Sequence, residues 1–164
     1  MKPLLNLKVP IAEDDNDRKL LSDIEKYDVH IVGVQAEKNS PQFAFTIGLY
    51  YHYLHPEVVI FGLGHEKCKT LLNEISNLIK NGTKIKDRDL RDDILQKYSV
   101  SFRSVMLDKY KEHLGYGIWF YRNLKRPFPC LQCIWPDAEG IFPWQNGYDS
   151  KFSALQTCLF DSHA

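Results

Sequence analysis

The chain has 164 residues, of which 44% are hydrophobic and 26% are charged, and its 21 basic side chains balance its 21 acidic ones. This length and composition predict a soluble globular protein with one domain, because the apolar content is sufficient for a single buried core. The zero net charge argues against a nucleic-acid-binding protein, since no overall field attracts phosphates. We therefore expect no nucleic acid among the partners of this chain.

The terminus and the apolar stretches favour a cytoplasmic location without membrane binding. The first ten residues include Asn6 and Lys8 and so lack the continuous apolar core of a secretory signal. The apolar stretch 43–63 contains histidines and a glutamate, which are costly inside a bilayer. We expect an N-terminal extension over residues 1–12 and one domain over residues 13–164.

An acidic segment precedes the first predicted helix. The carboxylates between Glu13 and Asp17 complement the dipole at a helix N-terminus. Apolar residues then recur at helical spacing from Leu20, and the pattern ends near Tyr27. The β-branched residues of 29–35 predict a strand directly after this helix.

The stretch 43–63 separates large and small side chains in an unusual way. Read at a period of two, it predicts a strand with a bulky face and a face of small residues, Ala44, Thr46 and Gly48. Such a bare face indicates that another backbone or a ligand approaches it closely. A helix packed through the same small residues is the alternative interpretation.

The second half of this stretch predicts the central strand. His55-Pro56 interrupts the local structure, because proline biases the residue before it toward extended conformations. Residues 58–61 show no alternation and are β-branched and aromatic, which is typical of a strand buried on both faces. Gly62 and Gly64 mark its exit.

The remaining patterns complete an α+β fold. We predict, in order, a helix over 65–82, a charged loop over 84–97, a strand over 100–107, an aromatic helix over 109–122, a strand over 130–135 and a closing helix over 152–159. The whole is expected to form a single domain, with an antiparallel or mixed sheet of about five strands and three to four helices.

Cys130 and Cys133 form a C-x-x-C pair inside a predicted strand. An offset of three sends their side chains to opposite faces of a sheet, whereas a redox pair or half of a zinc site requires both thiols on one side. We therefore expect neither a disulfide nor a metal site at this pair.

Five segments together carry a family resemblance: FAFTIGL, HPEVVIFGL, GIWFY, LQCIWPD and GIFPW. In this order and at these separations, between about Leu20 and Leu159, they resemble the bacterial domain-of-unknown-function family DUF4262. The resemblance implies no activity, cofactor or catalytic residue. The positions that match the family pattern are Thr46, Gly48, His55, Pro56, Glu57, Gly62, Gln132, Trp135, Pro136, Asp137, Pro143 and Trp144.

Three of these positions are candidates for catalysis. His55 and Glu57 could act as a base and an orienting acid, and Asp137 lies at the end of a neighbouring predicted strand. The alternative is structural, because a histidine and a carboxylate that flank a proline commonly bind backbone groups of a loop. Whether the protein is an enzyme stays open at this point.

A fold-level similarity to split-barrel flavin proteins gives one enzyme hypothesis. The small-residue face near Thr46 would receive the flavin or a nucleotide, with His55 and Glu57 beside it. Its phosphate would need cationic partners, and Arg103 and Arg122 are the ones on predicted ordered segments. Apart from this alternative we expect no cofactor.

A protein-binding module is the function that we prefer from the sequence. We expect another protein as the partner. The specific hypothesis is that this chain is an immunity protein, which neutralises a bacterial toxin by occupying its surface. Aromatic anchors with polar neighbours are typical of such contacts. The expected binding residues are Thr46, Gly48, Gln132, Trp135, Asp137 and Trp144.

Overall fold

The structure is a computed structural model that describes residues 3–162. It confirms the α+β prediction, with one six-stranded mixed sheet in place of about five strands and five α-helices in place of three or four. Residues 1, 2, 163 and 164, at the ends of the predicted extension and domain, lie outside the described residues. The strands are β1 (His30–Val34), β2 (Phe43–Ile47), β3 (Glu57–Phe61), β4 (Leu90–Leu95), β5 (Tyr98–Ser104) and β6 (Cys130–Ile134), and the helices are α1 (Asp15–Tyr27), α2 (Leu49–Tyr53), α3 (His65–Lys80), α4 (Tyr110–His113) and α5 (Gly115–Phe120).

The strands lie in the order β1-β2-β3-β6-β5-β4. Neighbouring strands are antiparallel except β3 and β6, which pair in parallel and place Val59 opposite Gln132. All five residues of β3 are buried, which confirms it as a central strand. The carboxyl ends of β3 and β6 consequently lie at the same edge of the sheet.

Each face of the sheet has its own core. Helix α3 covers one face, where Leu72 and Ile75 pack among apolar residues of β3 and β5. Helices α1, α4 and α5 cover the other face, where Leu20 and Phe120 pack against the bulky side chains of β2. Cys130 belongs to the second core and Cys133 to the first, so the predicted separation of the two thiols is confirmed, and both are free.

The predicted loop over 84–97 is wrong, because this segment contains β4 at the edge of the sheet. An edge strand has a neighbour on one side only and tolerates charged side chains. Asp92 and Asp93 accordingly face solvent, Arg91 is half-buried, and a register irregularity follows Arg91. Within β4 only Ile94 and Leu95 are buried, so the strand lacks a continuous apolar pattern.

Two predicted helices also differ from the structure. The aromatic helix over 109–122 is divided at Leu114 into α4 and α5, and Leu114 is fully buried. The predicted closing helix is a 3-10 turn over Ser150–Ala154, followed by an irregular segment that packs through Leu159. No helix within residues 3–162 is both long and apolar enough to cross a membrane.

Candidate functional site

Glu57 is a buried carboxylate whose oxygens accept hydrogen bonds from five donors. It accepts hydrogen bonds from the Thr46 hydroxyl at 2.8 Å and from the Tyr121 hydroxyl. The backbone N–H groups at the start of α2 supply the others, from Gly48 at 2.9 Å and from Leu49 and Tyr50 at 3.2 Å each. With 1% of its surface exposed, Glu57 functions as an internal anchor for this helix.

The small-residue face of β2 is explained by these contacts. Gly48 precedes α2 with φ of +125°, and a Cβ atom there would overlap the carbonyl oxygen of Asp28. Thr46 donates to Glu57 and also accepts from the Val58 N–H at 3.0 Å. The close approach predicted at this face is therefore made by another backbone segment and a carboxylate of the same chain.

Glu57 and its five donors, Thr46, Gly48, Leu49, Tyr50 and Tyr121, form what we call the Glu57 cluster. Two acidic groups in it have shifted pKa values. Burial raises the pKa of Glu57, and the hydrogen bonds from its donors oppose this shift. Burial and the nearby Glu57 carboxylate raise the pKa of Tyr121 well above its usual range. Tyr121 therefore keeps its proton, which it donates to Glu57 while its oxygen accepts from the Tyr51 N–H.

His55 is held by backbone groups on both sides of its ring. Nε2 accepts from the Ile85 N–H at 3.0 Å, so the proton of the neutral ring lies on Nδ1, which donates to the Pro56 carbonyl at 2.8 Å. Burial lowers the pKa of His55, which favours this neutral form. Both ring nitrogens are used by these bonds, and neither is hydrogen-bonded to Glu57 within residues 3–162.

Asp137 organises a turn instead of facing the other two candidates. Its carboxylate accepts from the N–H groups of Glu139, Ile141 and Asp149 at 2.9 Å each. Burial raises the pKa of Asp137, but these backbone donors outweigh that effect and leave the pKa below its ordinary value. Asp137 has no contact with His55 or Glu57 among its hydrogen bonds in residues 3–162.

The predicted binding residues on β6 and beyond are mostly internal. Gln132 donates to the Thr157 carbonyl and accepts from the Leu159 N–H, both at 2.7 Å, which fixes the C-terminal segment. Trp135 is 4% exposed and donates to the Phe61 carbonyl, so its surface is not available to a partner in this conformation. Trp144 is half-buried.

A cleft beside the Glu57 cluster was not predicted from the sequence. It has a volume of about 390 Å³ and lies between α4, α5 and the segment 122–128. Its floor is apolar and aromatic, with Leu107 and Ile118 exposed at 63% and 42%. We call it the basic cleft, and its lining residues are Leu107, Tyr110, Ile118, Tyr121, Arg122, Leu124, Lys125, Arg126, Pro127 and Phe128.

The charges of the basic cleft have one sign. Arg122, Lys125 and Arg126 are exposed at its rim, and none of its lining residues is acidic. Arg126 donates to the Tyr50 hydroxyl at 2.8 Å, and none of the three takes part in an ion pair within residues 3–162. The run RNLKRP at 122–127 is the sequence signal for this rim.

In the part of the chain that the structure describes, no group of three or more histidine, cysteine, aspartate or glutamate side chains is arranged to hold a metal ion. Arg103 and Arg122 were the candidate phosphate partners under the flavin alternative: Arg122 is at the rim of the basic cleft, whereas Arg103 stacks on Trp144.

Comparison with known proteins identifies the family. Neither the curated proteins nor the solved structures contain a match to this chain. The family model described as a domain of unknown function, DUF4262, matches residues 23–149, which is most of the chain and includes the Glu57 cluster and the basic cleft. The protein therefore belongs to the DUF4262 family.

Proposed function

We propose that this domain is a protein-binding module and that its contact surface is the basic cleft. The partner would supply an acidic segment with apolar side chains, because the cleft joins an apolar floor to three cationic side chains. Apolar contacts would provide affinity, while the unopposed charges would select acidic partners and speed their association. The charge of the cleft is the observation that carries this proposal.

The state of the catalytic candidates supports a binding role over an enzymatic one. The oxygens of Glu57 accept five hydrogen bonds, both nitrogens of His55 are bonded to the backbone, and the Asp137 carboxylate accepts three backbone N–H groups. A general acid or base must instead reach the substrate. Glu57 is better understood as the residue that positions α2 and Tyr121 beside the cleft, whereas His55 and Asp137 fix other backbone segments.

An immunity protein that occupies the surface of a bacterial toxin is the specific form of this proposal. The module would act in the cytoplasm, where its four cysteines would remain reduced. Its partner would present carboxylates and apolar side chains on one segment, in keeping with the lining of the cleft.

A fluorescent peptide that alternates glutamate with leucine or phenylalanine tests the proposal. We expect the purified protein to bind it, and the double variant Arg122→Glu, Lys125→Glu to weaken binding by about tenfold or more. The matched control is Lys67→Glu, Lys84→Glu, which reverses two exposed charges outside the cleft and should change affinity by less than about twofold.

Further arms separate the apolar from the charged contribution. Ile118→Ser and a glutamate–serine peptide without apolar residues should each weaken binding by about tenfold. Equal losses in the cleft variant and the control, or no peptide binding at all, would contradict the proposal. Binding to vesicles of anionic phospholipid in place of the peptide would also overturn it, since the occupant would then be a membrane surface.

A further inference from the structure

A second cationic site is centred on Arg103, which lies near the carboxyl end of β5 opposite Gln132 of β6. Arg103 of β5 stacks over the Trp144 ring, with its guanidinium carbon 4.0 Å from the ring centroid and 5.5 Å from that of Phe160. The Phe142 ring also stacks on the Trp144 ring, with their centroids 5.0 Å apart. None of these residues lines the basic cleft.

The Arg103 guanidinium has no polar partner within residues 3–162. Its Nε atom is buried without a hydrogen bond, and Arg103 is in none of the ion pairs within residues 3–162. Buried donors are normally satisfied, and an exception calls for an explanation. The aromatic contacts hold the guanidinium plane in place without using its N–H groups.

A second arginine lies beside Arg103, because the Arg88 N–H donates to the carbonyl of the neighbouring Phe102 at 2.6 Å. Burial and repulsion by Arg88 lower the pKa of Arg103, and Asp87 acts in the opposite direction. Asp87 is already engaged, because it accepts from the Ser104 N–H at 2.8 Å and lies 3.8 Å from Arg88. Asp87 is therefore bonded to Ser104 and paired with Arg88, and it forms no ion pair with Arg103 within residues 3–162.

We propose that Arg103 and Arg88, with Trp144 as the support, form a binding site for the oxyanion group of a ligand, a phosphate or a carboxylate. An oxyanion would accept hydrogen bonds from the guanidinium groups and reduce their mutual repulsion. Because the Trp144 ring already fixes the Arg103 side chain, little conformational entropy is lost on binding. We call these three residues the oxyanion site.

Titration with inorganic phosphate and, separately, with acetate at low ionic strength tests the oxyanion site. The readout is the NMR shift of the Trp144 indole N–H, assigned by comparison with Trp144→Phe. We expect a saturable shift, lost in Arg103→Gln and weakened about fivefold or more in Arg88→Gln. Tighter binding of phosphate would identify phosphate esters as the ligand class, and tighter binding of acetate would identify carboxylates.

Arg91→Gln is the matched control, because Arg91 on β4 already forms hydrogen bonds with Asp93 at 3.0 and 2.7 Å. Its affinity for either anion should stay within about twofold of the parent protein. The absence of any saturable shift, or equal losses in Arg91→Gln and Arg88→Gln, would overturn the proposal. Half of the Arg88 side chain is exposed, 51% by accessible surface, so its variant remains informative even if Arg103→Gln does not fold.

Discussion

At the scale of single residues, Glu57 illustrates how a carboxylate is kept inside a sheet protein. Burial of an ion costs several kilocalories per mole unless its lone pairs are used. Here three backbone N–H groups that would otherwise be unpaired at the start of α2 bind the carboxylate, with two hydroxyl groups completing the set. The helix N–H groups thus satisfy the buried carboxylate, and the carboxylate satisfies the N–H groups that the helix leaves unpaired.

Glu57→Gln should destabilise the protein strongly. The amide nitrogen of glutamine would be placed among donors, so at least one backbone N–H and the amide itself would be left unsatisfied in the interior. We expect the free energy of unfolding to fall by roughly 2–4 kcal/mol, measured by urea unfolding. Glu25→Gln, the same change at an exposed position of α1, should alter it by less than about 0.5 kcal/mol. Similar values for the two variants would show that the donors around Glu57 contribute little.

His55 predicts a pH dependence of stability. Its folded-state pKa is lowered from an ordinary value of 6.5, and its neutral Nε2 accepts from the Ile85 N–H. Its contribution is therefore fully present above the unfolded-state pKa and is lost as the pH falls toward the folded-state pKa. At about pH 7.5 His55→Ala should lower stability by about 1–3 kcal/mol, and the deficit should shrink at about pH 5.5.

Thermal or urea unfolding of both proteins at the two pH values measures this change. The comparison uses the difference between parent and variant, so the titration of other histidines cancels. A deficit that stays constant or grows as the pH falls would contradict the assignment of a neutral, accepting Nε2. An unchanged stability at both pH values would show that the His55 hydrogen bonds are not needed by the fold.

At the scale of secondary-structure elements, the sequence predicts those elements that have a local apolar pattern and misses those that depend on contacts with distant residues. β3 and α3 were predictable, because the first is continuously apolar and the second repeats its apolar residues at helical spacing. β4 was not, since an edge strand with charged side chains has the composition of a loop. The division of the aromatic helix at Leu114 also depends on tertiary packing.

In the candidate site, too, the unusual residues could be predicted from the sequence, whereas their bonding partners could not. The sequence indicated that His55, Glu57 and the small residues of β2 are unusual, but their partners lie far along the chain. Tyr121 is 64 positions from Glu57, and Ile85 is 30 positions from His55. Periodicity carries no information about such pairs. The basic cleft likewise depends on how segment 122–128 packs against α4 and α5, although its charges are visible in the sequence.

At the scale of the whole molecule, the two large apolar cores lie on opposite faces of the sheet, and both the strands and α2 contribute side chains to each of them. β3 and β6 contribute to both cores, because their successive side chains alternate between the faces. The basic cleft lies on the side covered by α4 and α5, while α3 covers the other side. Substitutions on the cleft rim should therefore leave the core beneath α3 undisturbed.

The four cysteines differ in burial, and this difference predicts which of them react in the native protein. Cys130 lies in one core, and Cys68 and Cys133 lie in the other, whereas Cys158 is exposed. Burial raises the pKa of each interior thiol, so these three are both inaccessible and protonated. Cys158 should react alone in the native protein, and slowly, because its own pKa is raised to about 11.

Thiol labelling followed by mass measurement should accordingly give one modified cysteine per native chain and four in denaturant. Cys158→Ser should abolish the native reaction without changing the fold, since its thiol makes only a long contact with the Gln156 carbonyl. Rapid native labelling of two thiols that zinc protects together would instead place Cys130 and Cys133 on one side of β6. That result would be incompatible with a strand whose alternate residues fill opposite cores, and the two-core architecture would have to be abandoned.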